Sequence, residues 1–282
     1  MKNRSTKSIF LDLKKLSKSN NRKKKLSFKF ESELLDYQSY LQNFSFQHYK
    51  LFEELALKLN LQDSINDLFN GEIVNKTENR QALHHQYRNN QTASEFDFKK
   101  ITEPFVKRIK KDGFKNIITF GIGGSYEGPK LLQEFTNKES FKFNYYFVSG
   151  PDKDEFNSIL KPLSDQKNFY IFSSKSLSTD ETLSCLRWLG AKRDSTNSIV
   201  ITANTEKAKT LGFAENSIVA FPETVGGRYS IWSPISLSAA LENNFSKFLK
   251  GGLAADKMLL GGAKIDLQYQ KFIKILVFSD LW

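Results

Sequence analysis

Asn116-Ile117-Ile118-Thr119-Phe120-Gly121-Ile122-Gly123-Gly124-Ser125 is where the character of this chain changes. Residues 117–120 form a short run of β-branched and aromatic residues that stops at Gly121, and helical spacing resumes over 126–135. Going downstream, the same alternation recurs. Strands are expected at 143–148, 169–172, 198–202 and 218–221, followed by helices at 154–160, about 180–190, 206–211 and about 232–241. The strands are apolar on both faces, which requires cover on both sides of a parallel sheet. The expected fold is therefore α/β: a three-layer α/β/α domain with a five-stranded parallel sheet. No internal repeat of fixed period is visible beyond this alternation.

Upstream of Asn116 the pattern reads as helix throughout. Residues 32–70 carry apolar positions at helical spacing up to Gly71, and 78–89 and 95–111 read as two more helices, the second interrupted by Pro104. The expected organisation is a basic, disordered arm at 1–27 and an all-helical N-terminal layer at 28–112. The sheet domain follows at 113–245, and the helical start of a C-terminal part at 246–282. The last stretch, 270–282, is the most apolar of the chain, and such a face needs cover from elsewhere. It reads as a point where a larger protein continues.

The 282 residues are 39% hydrophobic and 26% charged, and the mean hydropathy is −0.46. No apolar run approaches the roughly 20 residues that cross a bilayer, which excludes an integral membrane protein. A single cysteine, Cys185, excludes an intramolecular disulfide framework and a cysteine-based zinc cluster, and three histidines leave little for a metal site. No cofactor or metal is expected, and the setting expected is the reducing cytoplasm. The formal charge of +11 is concentrated. Residues 1–25 hold ten basic side chains and one acid, so the remaining body carries only +2. Counterion release needs clustered cations on a folded face, so no specific nucleic-acid partner is expected, nor any membrane partner. Residues 9–13 are too short for a secretory signal and are broken by Asp12.

In open parallel sheets, ligands sit beyond the carboxyl ends of the strands. Three turns there stand out. Residues 121–129 are glycine-rich, which lets backbone approach an anion at a helix start. Tyr126 breaks the dinucleotide fingerprint and Pro129 stands where a P-loop needs lysine, so a tight strand–helix connection is an equal reading. Residues 173–182 place six hydroxyls and Lys175 between a strand end and a helix start. Thr179 can cap that helix; Ser174, Ser176 and Lys175 are what a phosphate monoester dianion requires. In the third turn, 225–233, Arg228 follows paired glycines with no acidic neighbour, which suits a guanidinium aimed at a ligand or one bonded to backbone carbonyls. His84 and His85 read as solvated or packed rather than catalytic.

Together these segments resemble the phosphoglucose isomerase (glucose-6-phosphate isomerase) family. That family carries GIGGS-x-x-GP, S-K-[ST]-x-x-T-x-E-T and VGGR-[FY]-S-x-W-S in this order, matched here at 121–129, 174–182 and 225–233. Residues 75–84 resemble its N-x-TE-x-R-x-x-LH segment. The resemblance implies a sugar isomerase (SIS) domain and the reversible conversion of glucose 6-phosphate to fructose 6-phosphate in glycolysis and gluconeogenesis. It also implies that Ser174, Ser176 and Thr179 hold the phosphate with the backbone at Lys175, and that Gly124 and Ser125 line the sugar pocket. The Lys175 and Arg228 side chains would face the substrate, Arg228 stabilising a cis-enediolate. Ser176 stands for a more usual Thr, and Tyr126-Glu127 for Asp-Leu. Full-length members are homodimers, and the family's general base (a Glu), its ring-opening His and a further Lys lie downstream of position 282. The expectation is a chain that binds a sugar phosphate but is nearly inactive alone. The alternative is a non-catalytic SIS module that binds a sugar phosphate and regulates a partner.

Overall fold

A computed structural model describes residues 4–18, 28–31, 36–39, 46–89, 93–135 and 142–260. The chain divides into two compact units, one drawn from residues up to Gln81 and from Gly251 onward, the other Ala82–Lys250. Among the described residues no helix is long and apolar enough to cross a membrane.

The first unit departs from expectation in three places. Part of the arm expected to be disordered is a helix, α1 (Thr6–Lys18), because Ile9, Leu13 and Leu16 recur at helical spacing. Ile9 and Leu13 are buried against Leu51, Phe52 and Leu55 of α2 (Phe46–Lys58). Arg4 pairs with Glu54 at 3.0 Å and with Asp12, tying the helix start to α2. The layer expected to be all helix contains an antiparallel pair, β1 (Phe28–Glu31) with β2 (Asp36–Ser39), in the register Phe28↔Ser39. Phe28-Lys29-Phe30-Glu31 alternates at period two, a strand signature that the helical reading passed over. α3 (Leu61–Asn70) ends as expected at Gly71, whose φ of 77° is the left-handed cap. The helix expected from residue 78 is instead a tight turn. Asn75 and Arg80 exchange backbone hydrogen bonds, and the Asn75 side chain accepts from Thr77 Oγ1 and the Glu78 N–H. Side-chain competition of this kind is what disfavours asparagine inside helices.

In the second unit, five strands run parallel in the order β4-β3-β5-β6-β7: β3 (Asn116–Phe120), β4 (Asn144–Val148), β5 (Asn168–Ser173), β6 (Ser198–Thr202) and β7 (Ile218–Ala220). Every residue of β3, β5 and β6 is buried, as the two-sided apolar pattern requires. One face packs on α6 (Lys153–Leu160), α7 (Asp180–Leu189) and α8 (Thr205–Thr210) through Phe156, Leu186, Leu189 and Ala208. The other packs on α4 (Phe98–Lys111) and α10 (Phe245–Leu259) through Phe98, Ile109 and Phe245. This is the three-layer α/β/α sandwich. α4 therefore belongs to the sheet domain, whose compact unit starts at Ala82 rather than at 113. Ile109 is fully buried there, among the strand residues Ile117 and Phe169.

Pro104 does not break α4; its position is exposed, so the carbonyl it leaves without an N–H partner can meet water. The helix expected at 232–241 is broken into 3₁₀ turns, Gly227–Trp232 and Pro234–Ser236, before a short α9 (Leu237–Ala240). Pro234 forces that break, and Ser233 Oγ accepts from the Ile235 N–H to restart the chain. The apolar stretch 270–282 lies outside the described residues.

Three strands open on asparagine in register, Asn144, Asn116 and Asn168. Asn116 donates to Gln166 at 2.9 Å and Asn168 at 2.8 Å, and accepts from Asn144 at 3.0 Å. Replacing Asn116 by Ala strands these amides in a site of zero exposure. We expect a loss of about 2–3 kcal/mol in chemical denaturation, and an unchanged midpoint would show the ladder to be dispensable.

Candidate functional site

All five strands are parallel, so the turns after β3, β5 and β7 open at one edge of the sheet. Phe120 is the register partner of Phe172 on the neighbouring strand. The glycine-rich turn and the serine-rich turn therefore leave the sheet from adjacent strands, about 5 Å apart.

The first turn enters α5 (Gly124–Glu134) through Gly123, whose φ of 54° and ψ of −126° suit glycine alone. Gly124 touches the third turn directly. A Cβ built on Gly124 would lie 1.9 Å from the Gly227 carbonyl oxygen and 3.2 Å from the Arg228 nitrogen. Buried Ser230 completes the joint, its Oγ donating toward the Gly124 carbonyl at 3.1 Å and the Gly227 carbonyl at 2.7 Å. The glycines that were read as anion-cradling backbone are thus also a packing surface, and they fix where Arg228 starts. Ser230 was not singled out from sequence, although it lies within the third motif.

The serine-rich turn is organised by its own hydroxyls. Ser174 is buried, and its Oγ accepts from the Leu177 N–H at 3.2 Å and lies 3.4 Å from Thr179 Oγ1. Ser176 and Ser178 pair at 2.6 Å through their hydroxyls. Leu177 takes a left-handed φ of 49°, strained for a leucine, while its side chain is buried. The Lys175 carbonyl accepts from Thr202 Oγ1 at 2.9 Å and the Ala203 N–H at 3.0 Å, which anchors the turn to the neighbouring strand's end. Thr179 occupies the N-cap position of α7 without a side-chain capping bond. The expected cap is not made; the hydroxyl turns to Ser174 instead, and the first-turn amides of α7 face the serine-rich turn.

Arg228 is exposed, with its guanidinium carbon 5.1 Å from the Tyr229 ring centre. His84 stacks on the same ring at 4.3 Å with planes 13° apart, and Arg88 lies 4.5 Å from the Trp232 ring. The Leu83 N–H donates to the Thr224 carbonyl at 3.0 Å. Residues 83–88 therefore brace the Arg228 turn, and of the two environments the sequence left open for His84 and His85, solvated or packed, the structure shows the packed one. Burial, then Arg88, then His85 push the His84 imidazole down to about 4. Burial also raises Cys185 to about 11, which makes it a poor nucleophile. Among the described residues, no group of three or more His, Cys, Asp and Glu side chains is placed to hold a metal ion. A cavity of about 630 Å³ beside Lys167, Asn168 and Lys192 lies at the opposite, amino edge of the sheet.

An open parallel α/β/α domain with two locked ligand-type turns at its carboxyl edge, and a third leaving the adjacent strand, is the class that fold and site define. The phosphoglucose isomerase family model matches residues 38–268. The chain belongs to the phosphoglucose isomerase family. It is 31% identical over 247 residues to the glucose-6-phosphate isomerase of Buchnera aphidicola subsp. Cinara cedri, covering 77% of this chain and 45% of that one. The enzyme of the same name from Wigglesworthia glossinidia brevipalpis is 33% identical over 238 residues, covering 73% and 43%. The chain thus spans about half the length of the curated relatives it matches. A crystal structure of a glucose-6-phosphate isomerase from Chlamydia trachomatis superposes with a TM-score of 0.69 at 18% identity, over 92% of this chain and 56% of that one.

Proposed function

We propose that this chain forms the sugar-phosphate-binding part of a glucose-6-phosphate isomerase acting in cytoplasmic glycolysis and gluconeogenesis. The observation that carries the reading is the contact of Gly124 with Gly227, because it holds the sugar-side turn and the Arg228 turn together, beside the serine-rich turn. The phosphate dianion is held by the hydroxyls of Ser174, Ser176 and Thr179, the backbone N–H of Lys175 and the open amides of α7. Gly124 and Ser125 line the adjoining sugar, and the Lys175 and Arg228 side chains face it. When C2 of the open-chain aldose loses its proton, negative charge develops on the substrate oxygens as the cis-enediolate forms. A guanidinium fixed beside it stabilises that charge in the transition state more than in the ground state. By family resemblance the proton acceptor is a glutamate downstream of position 282.

Fructose 6-phosphate at about 100 times its dissociation constant should stabilise the purified chain by about 2.7 kcal/mol, a rise of several degrees in melting temperature. Free fructose should not. Lys175→Ala and Ser174→Ala should each abolish most of this rise. An equal response to fructose and fructose 6-phosphate, or undiminished stabilisation of both variants, would refute the reading.

A further inference from the structure

Leu177 is the only apolar residue among residues 173–180, and it stands in the middle of the serine-rich turn. Its side chain is 2% exposed, in the apolar cluster that also holds Phe120, Phe172 and Val200 of the sheet. Its neighbours Ser176 and Ser178 are both exposed, their hydroxyls paired at 2.6 Å. The φ of 49° at Leu177 is disfavoured for a residue with a Cβ, and leucine has no polar group to bond locally in compensation. Such a conformation persists only where the surroundings over-determine it. Here the buried side chain does so from one side. From the other, the Leu177 N–H donates to buried Ser174 Oγ at 3.2 Å. The same Ser174 oxygen lies 3.4 Å from Thr179 Oγ1, so the bend at Leu177 brings the two ends of the turn together.

We propose that Leu177 is a positioning residue for the phosphate: its buried side chain pins the left-handed bend that sets Ser174, Ser176 and Thr179 around one anion before that anion arrives. The inference rests on the isomerase reading of the turn. A turn fixed in advance loses little conformational freedom on binding, which strengthens affinity without adding a contact. When the anchor is removed, an L-residue at 177 relaxes toward the right-handed region. The apparent affinity then falls by the fraction of chains still correctly bent, about one in ten for a left-handed penalty of ordinary size. Glycine carries no such penalty, so a chain with Leu177→Gly reaches the bend more often than one with Leu177→Ala.

The test is calorimetric titration of the 282-residue chain with fructose 6-phosphate, at a temperature where far-UV spectra show each variant folded. Leu177→Met keeps a buried apolar anchor of similar volume and should bind within about twofold of the parent. Leu177→Ala should bind about tenfold more weakly. Leu177→Gly removes more of the side chain, yet should lose only about threefold. Leu163→Ala empties the same cluster near the start of β5, where the Leu163 carbonyl accepts from Asn168. It should lower the melting temperature and leave the affinity unchanged. A purely structural role predicts the reverse order at 177, with the larger truncation binding worse. Where truncation at 177 unfolds the chain, hydrogen exchange of the ligand-free parent decides. Its Leu177 N–H should exchange at least about a hundredfold more slowly than in an unstructured peptide. Parent-like binding by Leu177→Ala, weaker binding by Leu177→Gly than by Leu177→Ala, or free exchange at Leu177 overturns the proposal alone. A parent chain that does not bind fructose 6-phosphate overturns the isomerase reading, and this proposal with it.

Discussion

Gly124→Ala should separate the sugar-side turn from the Arg228 turn, and with them lose fructose 6-phosphate binding. The added methyl meets the Gly227 carbonyl oxygen at 1.9 Å and its carbon at 2.5 Å, distances no side-chain adjustment relieves because both atoms are backbone. Overpacking a core typically costs 1–3 kcal/mol, and this contact lies at or beyond the upper end, so we expect about 3 kcal/mol or more. Ser230, which bonds both carbonyls, would lose its geometry in the same step. The comparison that isolates the cause is Gly227→Ala. A Cβ there meets nothing within 4 Å, so that chain should fold with a nearly unchanged melting temperature. Thermal unfolding with and without fructose 6-phosphate reads both variants. A Gly124→Ala chain that melts and binds like the parent would show that the two turns are not locked.

Acid should weaken the protein through His84 before most carboxylates contribute. The imidazole has a folded-state pKa of about 4, against about 6.5 in an unfolded chain. The unfolded state therefore binds the proton first, and stability falls as pH drops from about 6.5 toward 4, with full stability above that window. The complete shift corresponds to about 3 kcal/mol as an upper bound. Urea denaturation of the parent and of His84→Asn at a series of pH values should show a steeper acid slope for the parent across this window. Groups common to both chains, including buried His48, whose pKa is also lowered by burial, cancel in the difference. Parallel slopes would mean that His84 takes up its proton without disturbing its stack on Tyr229.

Much of the domain was legible because its signals are local. The change of period at Asn116, the two-sided apolar strands and the punctuation by Gly121 and the serine-rich turn from Ser173 all act within a few residues. So do the hydroxyls clustered around Lys175. The misreadings share a cause. α1 looked like a charged arm because ten cations in 25 residues outweighed the Ile9, Leu13, Leu16 spacing, and its order depends on α2 supplying the buried partner surface. The helix expected from residue 78 does not start there because the Asn75 side chain competes for the backbone just before it. The Thr179 hydroxyl was assigned to a cap from its position in the chain, and it went to Ser174 because that buried oxygen lies within reach.

Sequence alone determined the alternation of strands and helices from Asn116 onward, the parallel sheet and the three turns bearing Gly124, Ser174 and Arg228, since backbone preference and hydrophobic period are properties of neighbouring residues. Only the folded chain decided that α4 covers the sheet, that His84 stacks beside Arg228, and that Gly124 abuts Gly227. Those contacts join segments far apart along the chain, and their geometry is set by close packing, which admits a hydrogen at position 124 and excludes a methyl group.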